Sequence, residues 1–207
     1  KGSNADPAIG LALDLMSYLG TDKMTADEKN TRLYNLAAEM SVSNNGDETY
    51  FSISGLQENF DATLALLEDW VMNVKADDAI LKEVVKDNVK GHNDAKLDQG
   101  SNFSQLRSAG MVGLDVRKSL ILTPKQMKKM KAADLMQRIQ NLLPGIIRVT
   151  YYGPATEADI VKTLNGESKF IAMGDPAKQT VSPRIHKQVI AKNEVWLAPY
   201  KANNIYF

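Results

Sequence analysis

The stretch Asp6–Thr21, DPAIGLALDLMSYLGT, carries a dense apolar face between a good helix cap and a Gly-Thr stop. Asp6 is a good N-cap, Pro7 suits the first helical position, and Gly20 is a good stop signal. Apolar residues recur at helical spacing and predict an amphipathic helix. Its apolar positions are Ile9, Leu11, Leu13, Leu15, Met16 and Leu19. None of these side chains can perform acid–base or metal chemistry, so the helix is expected to serve folding.

A second helix and a hairpin are predicted next. Thr25 and Glu28 form the capping-box pattern, which opens a helix expected to reach Met40. In the following MSVSNNGDETYFSISGL the periodicity changes, because apolar and polar residues alternate on both sides of the turn-forming NNGD. This pattern predicts a β-hairpin with a somewhat long loop.

Helices dominate the remainder of the chain. Two long ones are predicted over 59–75 and 78–97, the second capped by Asp77 and broken at Gly100. The pattern over 114–121 is ambiguous. Shorter helices are expected over 102–113, from Pro124, over 132–143 and over 157–165.

A late segment, GIIRVTYYG (145–153), has the apolar run and flanking glycines of a buried strand. Strands therefore pair locally and helices cluster. The predicted fold class is α+β, an antiparallel sheet with helices packed on one face.

The composition excludes several classes of function. The 207 residues include 25 Lys+Arg and 25 Asp+Glu, and this zero net charge argues against a general nucleic-acid binder. The absence of cysteine excludes disulfides, thiolate zinc sites and cysteine nucleophiles. No apolar run approaches the roughly 20 residues of a membrane span.

The residues give no catalytic constellation. The two histidines, His92 and His186, are far apart in sequence and are expected to be solvated; a zinc site from both with Asp94 is the less favoured alternative. Acidic residues on the helices are explained by caps and ion pairs. Serines at 17, 54 and 119 lack the context of a catalytic nucleophile. Binding, scaffolding or regulation remain open.

GLALDLMSYLGT resembles the first helix of the insulinase/pitrilysin-type zinc metallopeptidases, the inverzincins. That helix carries H-x-x-E-H, two zinc-binding histidines with the general-base glutamate, and a Gly-Thr follows. The motif falls on Leu13, Met16 and Ser17, so each functional residue is replaced. By the resemblance, the third zinc ligand falls near Leu81 or Glu83, and Glu83 is a possible remnant of it.

The order of elements over about 4–165 resembles the same family and implies its mitochondrial processing peptidase-like domain fold. The family domain begins with a strand before the motif helix, where this chain has KGS, for which a cloning remnant is the other explanation. We expect a peptidase-like domain over 1–173 that lacks its first strand. Residues 174–207 are expected to form a linker and the start of a following strand.

The resemblance implies a non-catalytic domain of a multi-domain zinc metalloendopeptidase, which closes the chamber or helps to bind the peptide substrate. This chain then has no catalytic or metal-binding residues, and zinc belongs to a catalytic sister domain, its expected partner. A structural or assembly subunit without a role in proteolysis is the alternative, and an enzyme acting alone is a third hypothesis. Arg107, Arg117 and Tyr151 are candidates for peptide contact, although surface or core roles are favoured. A periplasmic or secreted parent protein is compatible with the resemblance.

Overall fold

The computed structural model describes residues 1–175, 177, 185–189 and 191–198, and these contain ten α-helices and one pair of strands. In chain order the elements are α1 Ala8–Ser17, α2 Ala26–Asn35, β1 Glu39–Asn44, β2 Thr49–Ser54, α3 Phe60–Met72, α4 Asp78–Ala95, α5 Gln99–Val112, α6 Leu114–Ser119, α7 Pro124–Met127, α8 Ala132–Gln140, α9 Glu157–Glu167 and α10 Lys169–Met173. One face of the antiparallel pair packs on the helical core. The predicted α+β class is therefore confirmed.

The first helix lies in the middle of the core, where it packs against α8, α4 and β1. It begins at Ala8 with Pro7 as the flanking residue, one position later than predicted, although the Asp6 carboxylate accepts a hydrogen bond from the Ala8 N–H at 3.0 Å. Asp6 also forms an ion pair with Arg138 of α8. The first turn of α1 is thus tied directly to α8.

The second helix begins as predicted and ends early. Its capping box is formed, with the Thr25 N–H donating to Glu28 Oε2 at 2.7 Å and the Glu28 N–H donating to Thr25 Oγ1 at 3.2 Å. The expectation that it reaches Met40 is wrong, because the helix ends at Asn35 and Ala37 has a left-handed φ of 46°. Met40 therefore belongs to β1.

The predicted hairpin is confirmed. Met40 lies opposite Ile53 and Val42 opposite Phe51 in an antiparallel register, and these four side chains pack against the core. Residues at the alternate positions are exposed, as the period of two in a strand requires.

The helices after the hairpin follow the sequence signals closely. Asp77 caps α4 by accepting from the Ala79 N–H at 2.7 Å, and a Thr123–Gln126 capping box starts α7. The break after α4 precedes Gly100, since α5 already begins at Gln99. The ambiguous segment after residue 113 forms the short helix α6.

The buried strand predicted over 145–153 is wrong. Among the described residues only β1 and β2 form a sheet, and this segment pairs with neither of them. Because an unpaired strand leaves its N–H and C=O groups unsatisfied, an apolar run alone does not produce one. Ile147 reaches the core, whereas Ile146 is 56% exposed and Val149 is 48% exposed.

The carboxyl-terminal helices are fastened to α3 by a buried carboxylate. Glu68 Oε1 accepts hydrogen bonds from the Ser168 hydroxyl at 2.6 Å and from the Phe170 N–H at 3.2 Å. Phe170 also contacts the hairpin through Phe51, with ring centroids 6.3 Å apart. The chain therefore remains in contact with the core as far as α10.

Of the predicted linker and strand over 174–207, the structure describes 174–175, 177, 185–189 and 191–198, and these contain no helix or strand. The other residues of that prediction lie outside the described ones, so the boundary at 173 stays a prediction. No helix in the described part of the chain has the length and apolar character needed to cross a bilayer.

Candidate functional site

The three positions aligned with the peptidase motif do not form a polar face. Leu13 is 3% exposed and Met16 is fully buried, and both belong to the hydrophobic core. Ser17 is exposed, and its hydroxyl donates to the Leu13 carbonyl at 3.0 Å along the helix. Leu13 and Met16 therefore pack in the core, and the Ser17 hydroxyl forms its hydrogen bond within α1.

An open cleft of about 630 Å³ separates α1 from α4 beside Ser17. From α1 it is lined by Asp14, Ser17 and Tyr18, and from α4 by Val84, Asp87, Asn88, Gly91, His92 and Ala95. The Asn88 amide donates to Asp14 Oδ2 at 3.3 Å and to the Val84 carbonyl at 3.1 Å. The two helices are thus bridged by a polar contact next to the motif.

The structure does not bring Glu83 into this cleft. Its side chain is 65% exposed, and Glu83 Oε2 pairs with Lys86 Nζ on the same helix at 3.1 Å. Asn88 of α4 hydrogen-bonds to Asp14 of α1, and sequence reasoning missed this residue. Asn88 lies at helical spacing from the buried Leu81 and Val84, and this spacing was the available signal.

The residues present do not fit a zinc ion. Within the described ranges, no three His, Asp or Glu side chains lie close enough together to hold a metal ion. His92 lines the cleft, but the neighbouring motif positions offer no imidazole or carboxylate ligand. His186 is exposed and outside the cleft.

A second, smaller cavity of about 120 Å³ lies on another side of Ser17, between α1, α2, α3 and β1. Lys29 of α2 is 3% exposed there, with Nζ 3.9 Å from the centroid of the Trp70 ring. Lys29 Nζ donates to the Leu19 carbonyl at 3.3 Å, and Trp70 Nε1 donates to the same carbonyl at 3.1 Å. Burial lowers the pKa of Lys29 to about 8.

The three candidates for peptide contact lie apart from both spaces. Tyr151 donates to Gln57 Oε1 at 2.5 Å and contacts the ring of Phe60 edge-on, so it serves the packing of the segment after α8. Arg117 donates to Gln105 Oε1 at 2.5 Å, and burial lowers the pKa of its guanidinium. Arg107 is exposed on α5.

Comparison with known proteins gives one family match. The model of the family described as Insulinase (Peptidase family M16) matches residues 2–124, which include α1, the hairpin and α4. No curated protein matches the sequence.

The solved structures with a similar fold include three proteases. The periplasmic protease PqqL from Escherichia coli is 16% identical with a TM-score of 0.68, and the match covers 91% of this chain and 21% of that one. The ferredoxin protease FusC, solved as a mutant with Arabidopsis ferredoxin, is 13% identical with a TM-score of 0.69, covering 90% and 21%. A protease from Helicobacter pylori is 11% identical with a TM-score of 0.59, covering 91% and 46%. The chain therefore spans about a fifth of the length of the first two.

Proposed function

Because the chain belongs to the insulinase family, peptidase family M16, we propose that it is a non-catalytic domain of a larger zinc metallopeptidase. In this role it closes the chamber around a peptide or helps to hold the peptide, while a sister domain supplies the zinc and the chemistry. The protein is then one part of a multi-domain enzyme, in keeping with its coverage of 21% of the PqqL and FusC chains.

One observation carries the proposal. The positions where the motif would place a histidine and the glutamate, Leu13 and Met16, are 3% and 0% exposed inside the core. A zinc site needs its ligands on a face that metal and water can reach. The helix that would bind zinc in a catalytic domain therefore packs in the core of this one. It stabilises the fold and takes no part in catalysis.

The purified chain is expected to contain no stoichiometric zinc and to cleave no peptide by itself. After dialysis against micromolar zinc, elemental analysis reports the metal, and quenched fluorescent peptides report cleavage. A tightly held equivalent of zinc per chain, or hydrolysis that a chelator abolishes, would contradict the proposal and restore the hypothesis of an independent enzyme.

If the domain holds peptide in the cleft between α1 and α4, filling the cleft should weaken binding. We expect Asp87→Trp to raise the dissociation constant for an unstructured fluorescent peptide at least tenfold, about 1.4 kcal/mol, because Asp87 is exposed and lines the cleft. Fluorescence anisotropy measures the binding.

Glu83→Trp is the matched control, because it introduces the same ring on the same helix outside the cleft. If the two variants bind the peptide with equal affinity, the cleft is not part of the peptide-binding surface. Absence of any peptide binding by the wild-type chain would favour the assembly alternative.

A further inference from the structure

Lys29 is a buried cation that has no anionic partner in the described part of the chain. It is 3% exposed and forms none of the ion pairs found there. Its contacts are the neutral Leu19 carbonyl and the face of Trp70. A buried charge is costly unless an opposite charge compensates it, and these two contacts compensate it only in part.

The cavity beside Lys29 has the size and chemistry for one small anion. Its volume of about 120 Å³ exceeds the roughly 10–15 Å³ that one water needs. An ammonium group has three donors, and the Leu19 carbonyl uses one of them. The lining comprises Ser17, Lys29, Asn30, Leu33, Met40, Ser41, Val42 and Trp70. Among the described residues, the lining thus contains polar side chains, no acidic residue and no titratable group other than Lys29.

We propose that this cavity binds a carboxylate group, with Lys29 Nζ as its cation. A carboxylate carries one negative charge and matches the one positive charge of the site, whereas a phosphate would introduce a second, uncompensated charge. Asn30 and Ser41 add an amide and a hydroxyl to the lining. This binding site does not depend on the proposed peptidase role, since it needs no metal, although Ser17 of the motif also lines the cavity.

A purely structural role for Lys29 is the competing explanation. The Leu19 carbonyl lies just beyond the end of α1, where a cation stabilises the helix terminus. The two explanations differ in one measurable respect. A structural cap is indifferent to added carboxylate, whereas a binding site gains a partner that favours the charged amine.

The test is a pH titration of the lysine ¹³Cε resonances by NMR in the wild-type protein, in acetate and in chloride at equal ionic strength. Lys29→Arg assigns the Lys29 resonance. An opposite charge within about 4–6 Å raises the pKa of an amine by one or more units. We therefore expect saturable acetate binding at millimolar concentration to raise the Lys29 midpoint by about one unit and to leave that of the exposed Lys82 unchanged.

Two peptides distinguish the sources of the carboxylate. One has blocked ends and a single aspartate, and the other has a free carboxyl terminus and no acidic side chain. Whichever peptide competes with acetate in the wild type, and loses its own binding in Lys29→Met, identifies the group recognised, and competition by neither identifies a free small acid. Lys82→Met is the matched control for loss of an exposed lysine charge. If the titration midpoint of Lys29 is the same in acetate and in chloride, the proposal is wrong. The explanation of Lys29 as a structural helix cap then stands.

Discussion

Met16→Glu introduces the residue that the peptidase motif has at this position. We expect most molecules of this variant to be unfolded at neutral pH. Met16 is fully buried in the hydrophobic core, so the new carboxylate would be removed from water and surrounded by apolar side chains. Burial of such a group raises its pKa by up to 3–5 units, and each unit corresponds to 1.36 kcal/mol. The expected loss is on the order of 5 kcal/mol, which is comparable to the whole stability of many domains.

The pH dependence separates the charge from the change of shape. The introduced carboxyl has a folded-state pKa above its unfolded value of about 4.3, so its charge penalty is absent below that value. The penalty then grows as the pH rises toward the folded-state pKa. Urea unfolding of Met16→Glu should therefore give a free energy of unfolding that falls steeply between pH 4.5 and 7.5, relative to the wild type.

Met16→Gln is the control, because it has a similar shape and a polar end but does not titrate. We expect it to lose about 1–3 kcal/mol from burying an unpaired amide, with no added pH dependence. Met16→Glu with wild-type stability at pH 7.5 would show that this face of α1 is open to water. The placement of α1 in the core would then be wrong.

Trp70→Ala is expected to have the second largest effect, a loss of about 3–5 kcal/mol. Trp70 is 3% exposed, donates to the Leu19 carbonyl at 3.1 Å and stacks against Lys29. Its removal leaves a cavity between α1, α2 and α3 and takes away the ring that shields the buried ammonium group. Chemical denaturation followed by far-ultraviolet circular dichroism measures the change.

Trp70→Phe separates packing from the hydrogen bond. Phenylalanine keeps most of the apolar surface but lacks the N–H, so we expect a loss of only about 1–2 kcal/mol. Equal losses in the two variants would show that the indole N–H dominates. A loss below 1 kcal/mol for Trp70→Ala would contradict the packing described for α3.

Local sequence signals predicted most of the fold. The first helix, the hairpin and the caps at Thr25 and Asp77 were readable because each depends on residues within a few positions of one another. The prediction of a strand over 145–153 was wrong because a strand depends on a partner strand, and no local sequence pattern specifies that partner. The early end of α2 was missed for a related reason, since a left-handed alanine at Ala37 has no sequence signature.

The site was less predictable than the fold. Loss of the motif at Leu13, Met16 and Ser17 was visible in the sequence, and the apolar Leu13 and Met16 indicated a packing role, but the exposure of Ser17 was not predicted. Asn88 faces α1 only because α4 packs at one particular rotation. Lys29 lies on a strongly polar helix where a solvated lysine is the usual outcome, and its burial depends on Trp70 from a distant helix.

The partners of the ion pair between Asp6 and Arg138 lie 132 positions apart, so α1 is synthesised well before α8. A ribosome that adds about 5–20 residues per second has extended the nascent chain for several seconds before α8 emerges to cover α1. Throughout that interval α1 lacks the contacts that it makes with α8 in the folded protein. We therefore expect chaperones that hold nascent chains to raise the cellular yield of folded protein.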